Sequence, residues 1–155
     1  MWNYTEKIRE AAERLLAENR VDVVIGFRKG TLPLMNEPYL AKTVDQVKQL
    51  HWDGNCGINL ANYLPKRPDR VAIVAKGCDS RNIVVHLQEN QIKREQLHIL
   101  GAPCHGMLDR KRILSDLKGR EPIKVEESAD RVRIVGRDFE ETLERASYLQ
   151  ENCAI

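Results

Sequence analysis

Two segments of the chain end alike. Val71-Ala72-Ile73-Val74-Ala75-Lys76-Gly77-Cys78 and Leu97-His98-Ile99-Leu100-Gly101-Ala102-Pro103-Cys104 each run apolar, then reach a glycine and a cysteine. Between them lies a stretch with helical spacing, in which Ile83, Val84 and Leu87 are expected to face a sheet. Strand, crossing helix and strand make a βαβ unit, whose two strands run parallel. Paired side by side, about 4.8 Å apart, both strands run out at the same edge. Cys78 and Cys104 then meet where open α/β sheets take their ligands. The run from Val71 to Gly77 is close to continuously apolar, as a strand covered on both faces must be.

The remaining elements are arranged around this unit. A first helix is expected over about 4–19, after Asn3, with Tyr4, Ile8, Ala11, Ala12 and Leu15 on one face. Val21 to Phe27 reads as a strand. Pro33 and Pro38 predict loop or irregular strand over 28–38, followed by a short strand over 39–42 and a short helix from Val44 to Leu50. A further helix is expected over 55–64, beginning near Cys56, and the crossing helix over about 79–90. Residues 109–118 predict a helix stopped by Gly119. Alternation in Ile123–Glu126 and Arg131–Val135 predicts an antiparallel hairpin, and a final helix is expected over about 138–151. The fold class is therefore α/β: three layers, a mostly parallel sheet and a C-terminal antiparallel hairpin. At 155 residues this is one domain, long enough to bury a proper core.

Charge excludes one class of partner. The formal net charge is only +2, and basic residues alternate with acids, as in Lys7-Ile8-Arg9-Glu10. This predicts solvated helix faces and no nucleic-acid partner. The polar N-terminus predicts no secretory signal, and no apolar run approaches a membrane span, so a cytoplasmic protein is expected. Four cysteines in such a chain read as free thiols or ligands before disulfides.

Lys76-Gly77-Cys78-Asp79-Ser80-Arg81 is a turn from strand into helix. The amides and positive dipole end of that helix favour an anion, and Lys76 and Arg81 can add charge-assisted contacts to a pyrophosphate. The same residues also suit a plain turn, with Asp79 or Ser80 capping the helix. Cys78 and Cys104 suit either a ligand role or simple packing. His105 follows Cys104 and could raise its thiolate fraction. His86 and His98 read as packing or surface residues.

The stretch from Val71 to Cys104, with Leu60-Ala61-Asn62-Tyr63-Leu64-Pro65, resembles the coenzyme F420-reducing hydrogenase/dehydrogenase beta-subunit family. The resemblance rests on Lys76-Gly77-Cys78-Asp79-Ser80-Arg81 and Gly101-Ala102-Pro103-Cys104, in that order. It implies an electron-transfer subunit carrying FAD and/or a 4Fe–4S cluster. Such subunits pass electrons between a deazaflavin or ferredoxin-type carrier and a larger complex, of hydrogenase, formate dehydrogenase or heterodisulfide-reductase-like type. Carried onto this chain, the resemblance implies cofactor contacts at Lys76, Gly77, Cys78, Asp79, Ser80, Arg81, Gly101 and Pro103. It implies cluster ligation by Cys56, Cys78, Cys104 and Cys153. The chain lacks the Cys-rich ferredoxin-like segment of larger relatives and ends on Asn152-Cys153-Ala154-Ile155, like a C-x-x-C cut before its second cysteine. A domain of a longer iron–sulfur flavoprotein subunit is therefore expected. Two alternatives stay open: a non-catalytic docking module, and a thiol-based redox protein using Cys104.

Overall fold

The computed structural model describes residues 3–153. Ala154 and Ile155, which complete the terminal C-x-x pattern, lie outside the described residues. A four-stranded sheet holds β1 (Val23–Lys29), β2 (Asn36–Ala41), β3 (Val71–Ala75) and β4 (Leu97–Gly101) in the order β2-β1-β3-β4. β1, β3 and β4 run parallel, and β2 is antiparallel to β1. The predicted βαβ unit is present: Val71 pairs with Leu97 and Ala75 with Gly101, so both strands end level at one edge.

Side chains alternate across this sheet and separate two cores. Val24, Ala41 and Ala72 face α1 (Tyr4–Ala17) and α2 (Val44–Val47), through Ala12, Leu15 and Val47. Val23, Ile25 and Ile73 face the other side, where Ile83 of α3 (Gly77–Gln88) packs with Leu60, Leu64 and Cys56. The three layers expected from the sequence are thus formed. α1 ends at Asn19, whose φ of 53° supplies the left-handed stop, while Asn3 makes no side-chain cap. Val84 departs from its expected position: it is 51% exposed, and Ile83 alone in α3 is an apolar side chain fully buried against the sheet.

A second sheet follows α4 (Arg110–Asp116). It is an antiparallel meander of β5 (Pro122–Glu127), β6 (Arg131–Gly136) and β7 (Glu140–Glu144). Val132 and Ile134 of β6 bury against Ile113 and Leu117, giving the meander its own core. The expected hairpin is therefore the first two strands of three. The expected helix over 138–151 is replaced by β7 and two short 3-10 turns, Arg145–Tyr148 and Glu151–Cys153. Along β7, Glu141 and Leu143 are half-buried while Glu140, Thr142 and Glu144 are exposed, the period of a strand. Gly136 admits the Phe139 ring at the β6–β7 turn, where any Cβ would collide with it.

Two further expectations are corrected. Residues 55–64 form a loop with one 3-10 turn, Leu60–Tyr63, because the Asn59 side chain accepts from the Ala61 N–H and starts a tight turn there. The short strand over 39–42 lengthens to β2, which includes Pro38. Proline is tolerated because β2 is an edge strand. None of the described helices is long and apolar enough to cross a membrane.

Candidate functional site: a thiol-lined edge of the sheet

The carboxyl ends of β3 and β4 form the candidate site. From β3 the chain enters α3 through Gly77 and Cys78, and from β4 it continues to Cys104. Cys78 and Cys104 are exposed, and Cys153 is half-buried. Burial around the Cys104 sulfur pushes its pKa up, and the neighbouring Cys153 and Cys78 act in the same direction, against the Lys76 charge. The Cys104 sulfur thus lies within electrostatic reach of Cys78 and Cys153. Cys153 reaches it because the C-terminal segment is tied to the turn after β4. The Gln150 N–H donates to the Met107 carbonyl (2.8 Å), and the Cys153 N–H donates to the Gln150 carbonyl (2.8 Å).

Cys56, also expected among the cluster ligands, lies apart from that group. It is fully buried in the core between Asn36 and His51. Its sulfur accepts from Asn36 Nδ2 (3.3 Å) and donates to the His51 carbonyl (3.7 Å). Burial, helped by the Asp53 carboxylate, pushes this thiol up to about 12. Asp53 stays ionised because hydrogen bonds from His51 and Asn55 outweigh its own burial and hold its pKa below the ordinary value. Among the described residues, no group of three or more His, Cys, Asp and Glu side chains is arranged to hold a metal ion.

These environments set an order of thiol reactivity. A thiol at about 12 holds roughly a thousandth of the thiolate of an ordinary one at pH 8. Iodoacetamide should therefore label Cys78 first and Cys104 more slowly, leaving Cys56 untouched until the protein unfolds. Peptide mapping by mass spectrometry reads the order directly, and early alkylation of Cys56 in the native protein would contradict this burial.

The loop Lys76–Arg81 divides into an engaged half and an open half. Lys76 is 2% exposed and Asp79 is fully buried. Asp79 Oδ2 accepts from the Lys76 backbone N–H (2.9 Å) and pairs with Lys76 Nζ at 3.0 Å. Nζ also donates to the Ile58 carbonyl (3.0 Å) and lies 5.2 Å from the Phe27 ring centre. Neither side chain faces the edge. The pyrophosphate contact expected of Lys76 is thereby corrected: its ammonium points into the core. Ser80 donates to the Lys76 carbonyl (3.1 Å). Arg81 is exposed, and a Cβ placed on Gly77 or Gly101 would meet nothing within 4 Å. Pro103 is exposed beside Cys104.

The His105 ring turns toward Tyr4. It stacks there at 6.1 Å, with Nε2 3.2 Å from the Tyr4 hydroxyl. The Cys104 pKa is raised, the reverse of what an activated thiolate needs. One group beside the site escaped sequence reasoning. Arg145 is 5% exposed and donates to Glu127 Oε1 (2.7 Å), the His105 carbonyl (2.8 Å) and the Gly106 carbonyl (2.7 Å). It fastens the meander to the turn that follows Cys104. Nothing in the local sequence around Arg145 signals this, because its partners lie 18 to 40 residues away.

No family model matches the chain, and no curated protein matches it in sequence. Solved structures do. A chain of the F420-reducing [NiFe] hydrogenase complex from Methanosarcina barkeri, studied by xenon derivatization, superposes with a TM-score of 0.66 at 16% identity. The match covers 95% of this chain and 57% of that one. The likeness is one of fold. The present chain thus spans little more than half the length of that structural neighbour.

Proposed function

We propose that this chain is an electron-transfer domain of a flavin/iron–sulfur oxidoreductase, working in the cytoplasm with other redox subunits. It would pass electrons between a deazaflavin or ferredoxin-type carrier and a larger complex. The observation that carries the reading is the edge where parallel β3 and β4 end level and the chain runs on into Cys78 and Cys104. The fold shared with a chain of a hydrogenase complex supports it. Four free thiols suit a reducing compartment.

The two cofactors fit unequally. A flavin would supply the redox chemistry, and the chain's part would be to bind and orient it. The first amides of α3, the space beside Gly77 and Gly101, and the exposed Arg81 suit its phosphates. A four-thiolate cluster is not fitted by the described residues alone, since Cys56 is sealed in the core and the other three do not form a metal-holding group.

Anaerobic titration with FAD, and separately with iron and sulfide, tests the reading. FAD should bind to the wild-type chain, and Ser80→Asp should weaken it by about tenfold through negative charge at the helix start. Any iron retained should be lost in Cys78→Ala/Cys104→Ala. A chain that takes up neither FAD nor iron defeats the proposal.

A further inference from the structure

β4 is an edge strand, and among the described residues β3 is its only partner in the sheet. The Ala102 N–H donates to the Ala75 carbonyl (2.9 Å), which sets the alternation along the ladder. His98, Leu100 and Ala102 turn their backbone groups toward β3, while Leu97, Ile99 and Gly101 turn theirs outward. Leu97 is already satisfied. Its N–H donates to the Arg94 carbonyl, and its carbonyl accepts from Arg94 Nη1 (2.7 Å). The outward N–H and C=O groups of Ile99 and Gly101 stay open to another strand.

The molecule guards its other sheet edges and leaves this one bare. Edge strand β2 carries Glu37 and Pro38, β5 carries Pro122 and Lys124, and β7 carries Glu140 and Glu144. Such residues deter pairing with a further chain. β4 reads Leu97-His98-Ile99-Leu100-Gly101, with no proline and no formal charge. Ile99 is 39% exposed, and Leu100 is half-buried. Gly101 leaves a gap beside them, since even a Cβ placed there meets nothing within 4 Å.

One register with a second copy of the chain uses every open group. With the two β4 strands antiparallel and Leu100 opposite Leu100, Ile99 of each copy falls opposite Gly101 of the other. Each Ile99 N–H then donates to a Gly101 carbonyl, and each Gly101 N–H to an Ile99 carbonyl. On one face the protruding Ile99 fills the gap over Gly101, and on the other face the two leucines meet. His98 falls opposite Ala102, so no like charges are brought together along the strand.

We propose that β4 pairs with β4 of a second copy across a two-fold axis at Leu100, joining two sheets into one. This rests on the strand edge alone and does not depend on the redox reading.

Sedimentation equilibrium of the full chain tests it, in reducing buffer so that the exposed Cys78 and Cys104 cannot link copies. A reversible dimer is expected by about 200 µM, because so short a strand pair makes a small interface. Ile99→Lys puts a charge on the edge, and Gly101→Val fills the gap that Ile99 of the other copy needs. Each should raise the dimer dissociation constant by at least about tenfold. Ile123→Lys, at an apolar side chain 65% exposed on β5, should leave it unchanged. Amide exchange of the wild-type chain at low and high concentration needs no variant: the Ile99 and Gly101 N–H groups should slow as the dimer forms. The proposal is overturned by a monomer throughout, which would leave this edge to a different protein. It is equally overturned by a dimer that survives both edge substitutions, by one that Ile123→Lys dissociates as readily, or by one whose Ile99 and Gly101 amides exchange as in the monomer.

Discussion

Replacing Arg145 by Met should lower the melting temperature by roughly 6–20 °C. Arg145 and Glu127 form an ion pair whose side chains are 6% and 12% exposed. Removing one partner from such a pair costs about 3–5 kcal/mol, because the other charge stays buried without compensation. For a domain of this length, each kcal/mol corresponds to about 2–4 °C. Methionine fills similar volume, so the loss is electrostatic and not a cavity. Glu127 would keep only the Gly54 N–H (2.7 Å), while the His105 and Gly106 carbonyls lose their donors. Gly54 is fitted to this arrangement, since any Cβ there would strike the Glu127 carboxylate. Arg145→Lys retains charge but lacks the planar fork that spans the Glu127, His105 and Gly106 oxygens, and should fall between wild type and Arg145→Met. Thermal melts followed by circular dichroism decide the matter. A second reading follows from the same contacts: the turn after Cys104 loosens in Arg145→Met, so alkylation of Cys104 should accelerate. A melting temperature within about 2 °C of wild type would show the seam to be solvated.

The βαβ unit was legible because both of its signals are local. An unbroken apolar run calls for burial on both faces, and a helix-length gap between two such runs forces a parallel crossover. The same reading missed β7, and the reason lies in the competition between propensity and pairing. Glu140-Glu141-Thr142-Leu143-Glu144 is rich in helix formers, yet β6 presents an open edge carrying Ile134 and Val132. Ile134 pairs with Glu141, and Val132 with Leu143. Residues 55–64 misled in the opposite way. Cys56, Leu60, Ala61 and Leu64 are buried at helical spacing, but Gly57 and the Asn59 side chain break the backbone into turns. At the site, the level ends of the strands leading to Cys78 and Cys104 follow from strand register and could be anticipated. The arrival of Cys153 depends on contacts such as the Leu108–Leu149 bridge, which no spacing reveals.

Lys76 is the residue whose role changes most between sequence and structure, and Lys76→Met should be as damaging as Arg145→Met. As a lysine at the mouth of a strand–helix turn, it suits an anion contact. In the folded chain its ammonium lies between Asp79, the Ile58 carbonyl and the faces of Phe27 and Trp52. Asp79 Oδ1 already lacks a hydrogen bond, so the carboxylate relies on Lys76 for compensation. Without that cation the fully buried carboxylate is stranded, at a cost of about 3–5 kcal/mol. Asp79→Leu alone should be comparably costly, because it leaves the ammonium buried and removes the acceptor of the Lys76 N–H. The double variant Lys76→Met/Asp79→Leu removes both charges together. It should recover most of the loss, remaining about 1–2 kcal/mol below wild type through the orphaned N–H. Denaturant unfolding of the three variants gives the coupling directly. Additive losses would mean that the two side chains do not interact. The double variant also separates architecture from binding. Its fold is intact and its ammonium is gone, so FAD affinity equal to wild type is the expected result. Lost affinity in that folded variant would return Lys76 to the ligand.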